Sequence, residues 1–144
     1  MTLRRIPSFT LLAATIVLTG AACGDDTPTG PSAPEPVEIT ETFPSEAPGT
    51  LTRNGGVTHA FAVQQAGTIT VSLTTLTPEG SLVGLALGSF NGTSCSQTIV
   101  KDDATQNTSI IGTATSTGNY CIRVYDSAGS LSQPVEYQVT VRHF

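Results

Sequence analysis

The chain has 144 residues, enough for one domain and too few for two. Charged residues make up 12% and hydrophobic residues 38%, the balance of a folded chain and not of a disordered one. A net charge of -5, with 11 acids and no basic stripe, excludes electrostatic binding to nucleic acid or to anionic lipid.

Met1-Thr2-Leu3-Arg4-Arg5 is a short cationic start, and Phe9 to Leu18 is apolar apart from Thr10 and Thr15. Gly20-Ala21-Ala22-Cys23 then supplies small residues before a cysteine. This is the three-part layout of a secretory signal peptide, expected over residues 1–22. The apolar run falls well short of the ~20 residues that cross a hydrocarbon core, so a membrane span is not expected. The Ala22-Cys23 bond is the expected cleavage point, and this stretch resembles the signal of a bacterial lipoprotein. Gly20 stands where that family usually has Leu, Val or Ile. The resemblance implies diacylglycerol on the Cys23 thiol and two or three acyl chains in all, a firm anchor where one chain holds only marginally. The expected location is therefore a bacterial membrane, with the outer membrane or cell surface favoured. The alternative is cleavage at the same bond without lipid, giving a soluble secreted protein. With residues 1–22 removed, Arg53, Lys101, Arg123 and Arg142 face all 11 acids, a charge of -7.

Residues 23–37 hold prolines 28, 31, 34 and 36, the acids Asp25, Asp26 and Glu35, and no large apolar residue before Val37. Such a segment cannot build a core and is expected to be a disordered, solvated tether.

From residue 38 to 144 short alternating runs begin. Val57, His59, Phe61 and Val63 share one face of an expected strand. Ile69, Val71 and Leu73 share another, as do Val83, Leu85 and Leu87, with Gly84, Ala86 and Gly88 expected on the wetter side. Tyr120, Ile122 and Val124 form the next row, and Val135, Tyr137, Val139 and Val141 the last. Weaker strands are expected over Glu38 to Thr42, Cys95 to Val100 and Ser109 to Ala114. Turn signals separate them at Pro48-Gly49, Asn54-Gly55-Gly56, Pro78-Glu79-Gly80, Asn91-Gly92 and Ala128-Gly129. About eight short strands without a helix predict an all-β antiparallel sandwich, with a closed barrel as the second architecture.

The chain has three cysteines. Export puts Cys95 and Cys121 in an oxidising compartment, where the pair is expected to form a disulfide and Cys23 is left for lipid. Two separate buried thiols are the alternative. Cys121 alternates with the core row, so the expected bond is a structural clip that ties an outer face or edge to the loop around Asn91 to Cys95.

Gly67-Thr68-Ile69-Thr70-Val71-Ser72-Leu73, Thr117-Gly118-Asn119-Tyr120-Cys121-Ile122-Arg123-Val124-Tyr125 and Glu136-Tyr137-Gln138-Val139-Thr140-Val141 occur in that order. Over roughly Phe43 to Val141 the chain resembles the bacterial pre-peptidase C-terminal domain. The resemblance implies a jelly-roll-like sandwich without catalytic activity, used for secretion or for binding substrate or matrix. Calcium, bound by some members, does not carry over, because Ser81 to Ser89 contains no Asp.

The residues that bear chemistry are few. His59 and His143 lack the spacing of zinc ligands, and no Gly-x-Ser-x-Gly elbow marks a serine nucleophile. Asp102-Asp103 with Asp126 offer oxygen ligands to a hard cation, against the plainer reading of solvated acids in a polar loop. Tyr125 and Tyr137 are candidates for a sugar-binding surface, although Tyr137 shares its row with core valines. Asn91-Gly92-Thr93 and Asn107-Thr108-Ser109 are glycosylation sequons that carry little weight beside a bacterial-type anchor. The expected protein is a non-enzymatic binding or accessory module without metal or cofactor, partnered by an extracellular protein or polysaccharide. A structural subunit that self-associates by strand-edge pairing is the second hypothesis, and a small hydrolase the third.

Overall fold

Alternation of branched apolar residues with threonine, serine and glycine favours extended chain with one face buried. The computed structural model describes Pro34–Phe144, and no helix occurs among these residues. The leader expected over 1–22, Cys23 and the tether up to residue 33 lie outside the described residues. Residues 34–37 are exposed and carry no regular structure.

Nine strands follow in order: β1 (Ile39–Phe43), β2 (Gly49–Leu51), β3 (Gly56–Val63), β4 (Gly67–Thr77), β5 (Val83–Phe90), β6 (Cys95–Ala104), β7 (Ser109–Ala114), β8 (Gly118–Tyr125) and β9 (Val135–His143). All pairings are antiparallel. One sheet runs β1-β9-β4-β7, with β2 also on β9, and the other runs β3-β8-β5-β6. β1 and β2 follow one another along β9: Phe43 lies opposite Val139 and Gly49 opposite Tyr137. They are one edge strand interrupted between Pro44 and Pro48, residues that cannot donate to a ladder. Counted so, eight strands form two sheets with the strand order of a jelly roll.

The inner rows are those the alternation predicts. Val71, Leu73, Leu85, Ile122, Val124, Val139 and Val141 are fully buried between the sheets. Each such side chain contributes about 1.5–3 kcal/mol by leaving water, a large share of the usual net stability of a domain. β4 keeps its pattern past a bulge at Thr74, so that Leu76 also enters the core.

Three expectations are corrected. Pro48-Gly49 is not a free turn, because Gly49 opens β2. Asp102 and Asp103 sit on β6, which runs on to Ala104, and not in a loop. The row Gly84, Ala86 and Gly88 is buried like its opposite row, so β5 has no wet face from Val83 to Gly88. Its side chains are small enough for neighbours to lie over them. A methyl at Gly84 would overlap the Tyr125 ring, and one at Gly88 would overlap the Ser96 carbonyl.

Candidate binding surfaces

Two connections at one end of the sandwich enclose an open groove of about 390 Å3. Pro78 to Leu82, between β4 and β5, forms one wall, and Ser130 to Gln133, between β8 and β9, forms the other. Leu131 and Val135 are buried at its base, and Leu82 is 50% exposed at its rim. Gly80 takes a φ of +81°, which the Pro78-Glu79-Gly80 turn needs, and Ser81 Oγ donates to the Pro78 carbonyl at 2.6 Å.

Asp126 fixes the second wall. Its carboxylate accepts from the backbone N–H groups of Asn54 at 2.9 Å, Ser130 at 3.0 Å and Leu131 at 3.4 Å. Arg53 Nε donates to the Gly129 carbonyl at 2.8 Å and joins the same two loops. Burial pushes the Asp126 pKa up, but these N–H donors and the charge of Arg53 outweigh it and hold the carboxyl below its usual value. Its lone pairs are spent on the backbone, so it organises a loop and does not present a cation ligand.

Asp102, Asp103 and both histidines also have structural partners. Asp102 accepts from the Tyr125 hydroxyl at 2.5 Å, and burial followed by this bond pushes the Tyr125 pKa up to about 12. Asp103 pairs with Lys101. His59 Nε2 lies 2.9 Å from the Tyr137 hydroxyl and its ring stacks on Phe43 at 5.5 Å, while burial lowers its pKa. His143 Nε2 lies 2.9 Å from Glu41 Oε1, with the Phe61 ring at 5.2 Å. Among the described residues no three His, Cys, Asp or Glu side chains converge. Tyr137 is buried and cannot serve a sugar surface, whereas Tyr125 is partly exposed.

Cys95 and Cys121 form a disulfide with Cα atoms 5.7 Å apart. Cys121 lies on β8 in the outward row with Arg123, opposite Gly88 of β5. Cys95 opens β6, whose first residues fold over Gly88, the close approach that its missing side chain allows. The clip thus ties a hairpin to the outer face of the second sheet and leaves Cys121 fully buried.

The outer face around this clip carries Arg123 and Tyr125 on β8, flanked by Thr58 and Ala60 of β3. A smaller cleft of about 240 Å3 opens between the sheets where β6 and β7 meet, lined by Ile69, Leu87 and Ile99 under a threonine rim. The end groove was not read from the sequence. Asp126-Ser127-Ala128-Gly129-Ser130 is the signal that marks the groove wall, an acid followed by turn residues whose N–H groups it can collect.

No family model matches the chain, and no curated protein sequence matches it. Among solved structures it is similar to a periplasmic lysozyme inhibitor of g-type lysozyme from Aeromonas hydrophila, with 15% sequence identity, coverage of 72% of this chain and 83% of that one, and a TM-score of 0.48.

Proposed function

We propose that this chain is a non-catalytic binding or accessory module that works outside the cytoplasm, held through lipid on Cys23 to a bacterial membrane, at the outer membrane or cell surface. The Cys95–Cys121 disulfide carries the reading, because such bonds persist in oxidising compartments and are rare in the cytosol. The cationic start, apolar run and small residues before Cys23 agree with it. Kinship with the pre-peptidase C-terminal domain is part of the proposal. Its three motifs fall on β4, β8 and β9, and the strand order is that of a jelly roll.

The end groove is the proposed contact for an extracellular protein or polysaccharide. Its serines and Gln133 offer hydrogen bonds above an apolar base, the mixture that fixes a polar chain without charge. Two substitutions test the two halves of the reading. Cys23→Ala moves the protein from the membrane fraction to the soluble fraction; unchanged partitioning rejects the anchor. Leu82→Lys at the groove rim abolishes retention on cell-surface material with an unchanged melting curve; undiminished retention rejects the groove.

One observation favours a second reading, a self-assembling structural subunit. β7 is an edge strand without charge or proline, and its Ile111 is 65% exposed. Natural edges usually carry such blocking residues. Oligomers that survive dilution and vanish in Ile111→Lys support this reading, and a monomer at all concentrations rejects it.

A further inference from the structure

Asn54 and Asn91 each precede a glycine, so no side chain shields the next main-chain nitrogen from the asparagine carboxamide. The fold treats the two pairs in opposite ways. Gly55 N–H donates to the Thr52 carbonyl at 2.9 Å, and the Gly55 carbonyl accepts from Asp126 N–H at 3.0 Å. Asn54 N–H is held by the Asp126 carboxylate at 2.9 Å. Its side chain is covered as well: a methyl on Gly129 would sit 2.4 Å from Asn54 Oδ1.

Asn91 to Ser94 connects β5 to β6, and all of it is exposed. Gly92 takes a φ of +93° with open space around it. Among the described residues its N–H has no hydrogen-bond acceptor. The Asn91 carboxamide is instead fully engaged. Oδ1 accepts from Thr93 N–H at 3.0 Å and from Ser94 N–H at 2.8 Å, and Nδ2 donates to Ser94 Oγ at 3.0 Å. Two N–H donors on one carbonyl oxygen stabilise the negative charge that gathers there when its carbon is attacked. Asn91-Gly92 thus combines a free nucleophile nitrogen with a polarised carbonyl, whereas Asn54-Gly55 has its nitrogen tied.

We propose that Asn91 is a self-modification site, at which the Gly92 nitrogen displaces the carboxamide nitrogen and water converts the residue to aspartate and isoaspartate. The Gly92 nitrogen loses its proton and bonds to Asn91 Cγ. Charge on Oδ1 is met by the Thr93 and Ser94 N–H groups. The Cγ–Nδ2 bond breaks, and Nδ2 leaves as ammonia with the proton that Gly92 gave up. Water then opens the five-membered imide. Opening at the side-chain carbonyl gives aspartate, and opening at the main-chain carbonyl gives isoaspartate, in which the main chain runs through the side-chain carbon. Either product adds a carboxylate to the turn that leads into the Cys95–Cys121 clip, and isoaspartate also lengthens that turn. The inference does not depend on what the module binds.

The test is peptide mapping by mass spectrometry of the full chain, kept folded with its disulfide intact in mildly alkaline water enriched in heavy oxygen. The label enters an asparagine only when its imide is opened. The same chain, reduced and unfolded in denaturant, is the reference, because there both glycine nitrogens are free. The folded chain should convert Asn91 about tenfold faster than Asn54 or more, the factor expected when the hydrogen bond on Gly55 must first break. The unfolded chain should convert the two at similar rates. Asn91→Ser, which keeps an oxygen acceptor in the turn, should abolish labelling of that peptide and leave Asn54 as it was. Three results overturn the proposal: no label at Asn91 in the folded chain, label at Asn54 as fast as at Asn91, or a preference for Asn91 that survives unfolding unchanged.

Discussion

Opening the Cys95–Cys121 bond should cost the domain a measurable part of its stability. The bond closes a loop with a sequence separation of 26 residues. The chain-entropy relation for a loop of that length gives ~3.5 kcal/mol at room temperature. With unfolding entropy of ~2 cal/mol/K per residue over the described domain, that corresponds to a melting-point drop of roughly 15 °C. Cys95→Ala is the cleaner variant, because Cys95 is partly exposed while Cys121 is fully buried and fills space over Gly88. The assay is thermal unfolding followed by circular dichroism, with and without reductant. The wild-type curve should fall by the stated amount in reductant, and the Cys95→Ala curve should not move. Coincident wild-type curves in both conditions refute the reasoning, since a closed loop must restrict the unfolded chain.

Three other outcomes follow from the same structure. Gly88→Ala places a methyl on the Ser96 carbonyl, where backbone must give way, so the variant should fail to form the clip and show free thiols by mass labelling. Leu73→Ala, in the dry interior, should lose ~3 kcal/mol in denaturant unfolding, while Ile111→Ala on the open face of β7 should change stability by less than ~0.5 kcal/mol. Asp126 has a folded pKa below its unfolded value near ~3.9, so its contribution is complete above that pH and is lost as pH falls through the depressed folded value. Asp126→Asn should therefore flatten the acid limb of the stability curve below ~pH 4, and an unchanged limb contradicts the loop-latch role.

The inner rows were legible because each strand reports its own alternation. Ile69, Val71 and Leu73 need no knowledge of their partners to be assigned inward, and Ser109 to Ala114 coincides with β7. What the sequence hid depends on contacts between strands. Gly84, Ala86 and Gly88 look like a wet row until Tyr125 and Ser96 are laid over them. No partner for His143 is visible in the sequence, and it is the pairing of β1 with β9 that brings Glu41 to its ring. Asp102 and Asp103 look like loop acids until β6 is extended by pairing with β5 as far as Ala104. Candidate sites read from lone side chains thus dissolved into structural pairs, and the surfaces that stand out are built by loops and sheet faces.

In the proposed function the mature chain begins at a lipid-bearing Cys23 and reaches its place of work with its other two cysteines joined. Intact mass spectrometry of protein extracted from the cell envelope, before and after reduction, reads both features in one experiment. The expected mass is that of Cys23 to Phe144 plus diacylglycerol and acyl groups, rising by the mass of two hydrogens on reduction. A mass that retains residues 1–22, a chain without lipid, or a mass unchanged by reduction would overturn that reading.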